Sequence, residues 1–268
     1  PPPPPPPPLA VVTTASCFAP RRPDDLEGVA RLCAARGVAH VVNNAYGLQC
    51  RATTRQLARA CRVGRVDYIV QSTDKNFLVP VGGAVVASPD PGALRAAART
   101  WPGRAGAAPL QDMFITLTSM GSSGYQGLLE ERERLRHILK EELSKLAADL
   151  GERVLEVPGN TISFGLTLGG TAPAAADATY LGAMLFKRCV SGTRVVTGAQ
   201  SSTKQVGNSE FQAYGAHCNA YPSVPYLTAA CAIGMSEQEV YDFCHRLHKT
   251  INEFKKKKRA KKQKQAAK

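Results

Sequence analysis

The sequence predicts an α/β fold built on a parallel sheet, followed by a smaller α+β domain. Short apolar runs alternate with stretches of helical spacing between Leu9 and Gln71, the pattern of βαβ units. Polar residues close those runs: Thr14, Asn43 and Ser72 to Lys75 all fall at the carboxyl ends of predicted strands, where open parallel sheets bind their ligands. Beyond a long charged amphipathic stretch, Tyr125 to Leu150, the texture changes to short strands, loops and closing helices. A chain of 268 residues, 44% apolar and 21% charged, holds one sizeable core or two smaller domains. No eighteen consecutive residues are apolar, which argues against a transmembrane helix.

Pro1 to Pro8 predicts a stiff polyproline II rod with no core of its own, and it lacks the basic and long apolar segments of a secretory signal. Leu9 to Thr14 reads as a strand. Asp24 to Arg36 carries apolar residues at helical spacing with acidic residues in its first turn. Ala39 to Val42 is a second strand, Thr53 to Arg62 a helix and Val66 to Gln71 a third strand. Gly83 to Ser88 follows as a strand and Pro91 to Thr100 as a helix. A break at Gly103 to Gly106 precedes an apolar helix, Gln111 to Met120, and the long helix Tyr125 to Leu150. Strands are expected near Arg153 to Val157 and Thr161 to Leu168, a helix over Ala175 to Cys189, and Gly/Ser-rich loops from Ser191 to Pro225. Helices at Tyr226 to Ile233 and Ser236 to Phe254 close the chain. Four segments result: 1–8, 9–120, 121–254 and a basic tail, 255–268.

The tail, K-K-K-K-R-A-K-K-Q-K-Q-A-A-K, supplies nine of the positive charges and leaves +4 of the net +13 for the rest. Such a run either extends the helix before it or stays solvated; its partner would be a phosphate backbone. The eight cysteines contain no C-x-x-C pair and no zinc spacing, so no metal site is expected. They read as small buried hydrophobes of a reduced, intracellular protein. Cys17 has no histidine near it in sequence. His217 lies in a loop where a structural role is expected. Gly121-Ser-Ser-Gly124 reads as a helix start that needs no ligand.

Lys75 is the only lysine among the first 139 residues, which contain fifteen arginines. Where the chain needs only a solvated positive charge it uses arginine, which does not deprotonate in proteins; a desolvated lysine amine does, and can attack a carbonyl carbon. A lone amine at the end of an apolar strand, followed by Gly82 and Gly83, is what a Schiff-base enzyme requires. Ser72 and Asp74 flank it and shape its loop or touch a cofactor.

Asn43-Asn44-Ala45-Tyr46-Gly47 and Ser72-Thr73-Asp74-Lys75 stand where pyridoxal-phosphate enzymes of the aspartate-aminotransferase type carry Asp-x-Ala-His-Gly and the Schiff-base lysine. The segments H40-V-V-N-N-A-Y-G47, R62-V-G-R-V-D67, Q71-S-T-D-K-N-F-L-V-P-V-G-G-A84, Pro102-Gly103-Arg104-Ala105 and V190-S-G-T-R-V-V196 closely resemble the O-phosphoseryl-tRNA(Sec) selenium transferase family, the selenocysteine synthases of eukaryotes and archaea. The resemblance runs from about Leu9 to about Lys257. It implies the pyridoxal-phosphate-dependent transferase fold of type I, with residues 9–120 as the later part of the cofactor-binding large domain and residues 121–254 as bridging helix and small domain. It also implies that the chain begins partway through the family's cofactor domain and lacks the N-terminal segment that carries tRNA-contacting helices and a phosphate-holding Arg/Ser/Gln loop.

The same resemblance implies pyridoxal 5'-phosphate as cofactor, bound through Lys75, Asn43 and Ser72, and conversion of O-phosphoseryl-tRNA(Sec) to selenocysteinyl-tRNA(Sec) with selenophosphate. Lys75 forms the Schiff base and then removes the α-proton; phosphate leaves the β-carbon and selenium adds. Asn43 faces the pyridine nitrogen, where an amide cannot hold a ring proton as an aspartate does, so the ring is a weaker electron sink. Arg104 contacts the substrate phosphate, which suits a guanidinium fork. Arg62, Arg188 and Lys256 contact the tRNA backbone. A cytoplasmic homotetramer, with active sites at subunit interfaces and no membrane partner, completes what the family implies. Two alternatives stand beside it. One is another type I enzyme, a desulfurase or lyase, although those usually keep an aspartate where Asn43 stands. The other is a catalytically inactive tRNA-binding fragment.

Overall fold

Three parallel strands and one antiparallel strand make the first sheet. The computed structural model describes residues 7–197, 203–211 and 224–266. These divide into two compact units, one within Pro1–Cys17 and Arg22–Glu130, the other within Phe18–Arg21 and Glu131–Lys268. His217 and Cys218 lie outside the described residues, as do Pro1 to Pro6 of the proline run.

In the first unit, β1 (Ala10–Thr14), β2 (Ala39–Asn43) and β3 (Tyr68–Ser72) pair in parallel and in chain order. Helices α1 (Leu26–Arg36) and α2 (Arg51–Val63) make the two crossovers. The Asp25 carboxylate caps α1 by accepting from Gly28 N, and Gly37 ends it in the left-handed region at φ 65°, where glycine carries no Cβ penalty. Alternate residues of β2 and β3 are buried. Val42, Ile69, Val66, Leu26, Ala30, Leu57 and Ala60 form the core between sheet and helices. Gly64 is set by close approach: a Cβ there would lie 2.3 Å from the Ala30 carbonyl carbon, while Arg65 N donates to Ala30 O at 2.9 Å. His40 is wholly buried and satisfied. Its Nδ1 donates to Arg65 O at 2.9 Å, so Nε2 accepts from the Thr13 hydroxyl at 2.8 Å.

The expected fourth strand exists as β4 (Ala84–Ala87), but it runs antiparallel to β3. The segment between them is too short for a crossover, so the chain must double back. Helix α4 (Pro91–Arg99) then starts with Asp90 accepting from Gly92 N and Ala93 N. The two expected helices around Gly121 are continuous as α5 (Ala108–Leu150), broken only at Gly121, where φ is 64° and ψ 176°. The units divide between Glu130 and Glu131, inside this helix, whereas the sequence suggested a boundary at residue 121.

In the second unit a three-stranded antiparallel sheet runs β5 (Ser163–Thr167), β9 (Tyr226–Ala230), β6 (Val195–Val196). Val154 makes only a single bridge, to Leu166. Within the expected loops lie β6 and a small exposed hairpin, β7 (Lys204–Val206) with β8 (Ser209–Phe211). The expected helix at Tyr226 to Ile233 is instead the central strand β9. Four of its five residues are buried, and a short run buried on both faces carries no periodicity that separates helix from strand. Helix α6 (Ala175–Phe186) stops three residues short of the expected Cys189.

The described part of the basic tail is helical: α7 (Glu237–Ala266) runs into it. Ser236 and Glu239 form its capping box, each reaching the other's backbone N–H. Lys255 donates to Leu150 O at 3.1 Å, Lys257 pairs with Glu253 at 2.9 Å, and Lys258 pairs with Asp177. Leucines 135, 139, 143 and 146 of α5 meet β5, α6, β9 and α7 in the core of this unit.

At the amino ends of β2 and β3, Asp67 accepts from His40 N at 2.7 Å and from Arg65 Nε at 2.9 Å. Desolvation pushes the Asp67 carboxyl up, but the hydrogen bonds from Arg65 and His40 outweigh it and hold it below the ordinary value of 3.8. A carboxyl depressed in the folded state stabilises above its unfolded pKa, and that contribution is lost as pH falls through the folded pKa. Asp67→Asn should therefore lower the melting temperature at neutral pH, with the gap to the parent closing below 3.8; a gap that stays constant through the acid titration would contradict this account.

Candidate active site

The site grows from the carboxyl edge of the first sheet. Parallel register pairs Thr14 with Asn43 and Asn43 with Val70, so the ends of β1, β2 and β3 come to one edge. After Ser72 the chain turns at once into a single helical turn, α3 (Thr73–Phe77), with Lys75 in its middle. The sequence suggested only a loop here; the turn is too short to show helical periodicity. α3 ends at Leu78, a non-glycine residue at φ 55°, a conformation that costs about 1–2 kcal/mol for an L-residue.

Asn76 holds this turn in place. Its amide nitrogen donates to Ala45 O at 2.8 Å and to Ser72 O at 2.6 Å, joining the loop after β2 to the end of β3. Gln49 donates to Lys75 O, Thr73 N donates to Gly83 O at 3.2 Å, and Tyr125 donates through its hydroxyl to Asn76 O at 2.8 Å. The Tyr125 ring also lies 5.9 Å from that of Phe77, and burial pushes its phenol pKa up, so the hydroxyl stays a donor. Asn44, Thr73 and Asn76 are buried, and Asn44 Oδ1, Thr73 Oγ1 and Asn76 Oδ1 have no partner among the described residues.

The Lys75 side chain is one-third exposed. Its Nζ donates to Ser72 Oγ at 3.0 Å and to Asp74 Oδ2 at 3.0 Å, and lies 5.6 Å from the centroid of the Tyr46 ring. The Ser72 hydroxyl donates in turn to Asp74 Oδ1. Desolvation pushes the Asp74 carboxyl up, yet hydrogen bonds from Ser72 and Lys75 hold it below the usual carboxylate range. Tyr46 is anchored by its backbone N–H, which donates to Ser16 Oγ at 3.1 Å. Asn43 is exposed at the end of β2, its Oδ1 accepting from Ala45 N at 3.1 Å, which leaves its amide NH₂ as an outward donor. A reachable amine, an aromatic face and a strand-end amide form a donor set that fits a flat aromatic aldehyde.

The other sequence candidates are carried by other elements. Arg104 is exposed in the segment between α4 and α5. Arg62 is exposed in the last turn of α2. In the second unit Arg188 is half-buried, pairing with Glu253 and donating to Met184 O at 3.1 Å, while Lys256 is exposed on α7. Cys17, expected to be buried, is only partly so, and none of the seven described cysteines is disulfide-bonded. No cluster of three metal-binding side chains and no helix long and apolar enough to cross a membrane occurs among the described residues.

A family model of O-phosphoseryl-tRNA(Sec) selenium transferase matches residues 5–252. The chain belongs to that family. It is 41% identical over 254 residues to the Dictyostelium discoideum O-phosphoseryl-tRNA(Sec) selenium transferase, covering 90% of this chain and 53% of that protein. The crystal structure of an archaeal family member superposes with a TM-score of 0.77 at 27% identity, over 90% of this chain and 51% of the other. The chain thus spans about half the length of the relatives it matches. Sphingomonas wittichii serine palmitoyltransferase shares the fold, with a TM-score of 0.61 at 15% identity, over 91% of this chain and 55% of the other. The fold is that of type I pyridoxal-phosphate enzymes.

Asp74, Tyr46, Asn76 and Tyr125 carry much of the site's geometry. Asp74 was legible from its place beside Lys75. Asn76 and Tyr125 act through backbone carbonyls, which a sequence does not reveal. Replacing Tyr125 with Phe leaves the Asn76 carbonyl without this donor and should destabilise the protein by about 1–3 kcal/mol, read as a lower denaturant midpoint; an unchanged midpoint would show that the bond contributes nothing.

Proposed function

We propose that this chain acts in converting O-phosphoseryl-tRNA(Sec) to selenocysteinyl-tRNA(Sec), with selenophosphate as selenium donor and pyridoxal 5'-phosphate held at Lys75. The observation that carries this reading is the Lys75 amine, reachable from solvent at the carboxyl edge of a type I sheet, in a chain of the selenium transferase family. When bound, pyridoxal phosphate supplies an aldehyde that condenses with amines and a ring that withdraws electrons from the adjacent carbon.

Lys75 Nζ is the attachment point and, once free, the base that takes the proton from the substrate's α-carbon. Tyr46 offers its ring to one side of the amine, and Asn43 offers an amide donor suited to an unprotonated ring nitrogen. Ser72 orients Nζ through its hydroxyl. Arg104, exposed and flanked by Gly103 and Ala105, pairs with the phosphate of the phosphoseryl group, drawing it toward departure. The exposed cations Arg62 and Lys256 meet the tRNA backbone, and Arg188 joins them at the cost of its pairing with Glu253. A cytoplasmic homotetramer belongs to the same reading.

Incubation with pyridoxal phosphate followed by borohydride should reduce the cofactor onto Lys75, identified by peptide mass; labelling elsewhere, or none, would remove the reading. Arg104→Ala should cut turnover of a phosphoseryl substrate by about tenfold or more, in line with a lost charge-assisted hydrogen bond, while leaving that labelling intact. Equal loss of both would exclude Arg104 from phosphate recognition.

A further inference from the structure

Asp74 has no part in the reaction as proposed, yet it makes the closest charged contact of the one reactive amine. Its carboxylate accepts from Nζ at 3.0 Å through Oδ2 and at 3.3 Å through Oδ1. The same Oδ1 accepts from the Ser72 hydroxyl, which itself accepts from Nζ. The three groups close a ring. Two of its members are adjacent in sequence and the third stands at the N-cap position of the same helical turn, so the ring lies within four consecutive residues. Asp74 is more buried than Lys75, with side-chain exposures of 17% and 33%. The carboxylate is therefore the fixed partner and the longer amine the mobile one.

We propose that Ser72 and Asp74 form the docking place of the Lys75 ammonium group, a clip that the side chain occupies whenever Nζ carries its full set of protons and no bond to an aldehyde carbon. The inference rests on the reading of Lys75 as the attachment point. Condensation replaces an aldehyde C=O by a C=N bond and releases water that carries away two of the three hydrogens of the ammonium group. Those hydrogens are what the clip engages, so clip and aldehyde compete for Nζ. Asp74 is thus a positioning residue that sets how readily Lys75 is captured, and it receives the amine again each time the amine is released.

The competition can be read directly as the pyridoxal phosphate concentration that half-saturates borohydride-trapped labelling of Lys75, measured by peptide mass on the full chain. Asp74→Asn keeps an oxygen for the Ser72 hydroxyl and removes the charge. It should lower the half-saturating concentration at least threefold, and Asp74→Glu should return it toward the parent value. The melting temperature should move by only a few degrees, because the pair is partly exposed. Should Asp74→Asn fail to fold, Asp74→Ala, which also removes the charge, should move the half-saturation in the same direction. An unchanged or raised half-saturating concentration, with the parent still labelled at Lys75, would overturn the clip alone. A parent that is not labelled at Lys75 would overturn both the clip and the reading beneath it.

Discussion

The amide of Asn76 is the bond on which the site's geometry turns. One nitrogen reaches the carbonyls of Ala45 and Ser72, so the loop that carries Tyr46 and the strand end that carries Ser72 share one tie. Ala45 lies beyond β2 and Ser72 closes β3, and a hydrogen bond to each carbonyl is worth about 0.5–1.5 kcal/mol. The tie therefore satisfies two backbone acceptors and, in the same geometry, sets the direction from which Lys75 leaves its helical turn. Tyr125 supports the arrangement from the far side by holding the Asn76 carbonyl. The strained Leu78 follows two residues later, which places the cost of ending the turn next to the groups that repay it.

Parallel pairing sets the larger frame. Because β1, β2 and β3 run the same way, their polar termini gather at one edge, while the contacts of Arg65 O and Asp67 to His40 of β2 close the opposite edge. Chemistry and stability are separated by the length of the strands. Gly64 contributes to the second edge by admitting the Ala30 backbone where a side chain would not fit.

Much of this was legible in the residues. The three parallel strands, both crossover helices and the break at Gly121 follow from alternation, capping residues and a glycine, all of them local signals. Lys75 stood out because the chain otherwise uses arginine before residue 140. What escaped was set by contacts across the fold. The direction of β4 depends on how little chain separates it from β3. Strand β9 is an apolar run whose pairing with β5 and β6 overrides the helical tendency of its alanines. Of the two states the sequence left open for the lysine run, the extension of α7 draws on Leu150, Glu253 and Asp177, partners unmarked by any motif.

The antiparallel return of β4 has a consequence for how this segment can change. Ser72 pairs with Ala84 and Thr73 N with Gly83 O, so the nine residues from 74 to 82 form an arch pinned at both feet. Adding or deleting one residue inside the arch would slip the ladder and turn the faces of β4 over. Substitution is thus the open route to variation in this stretch, and change of length the closed one.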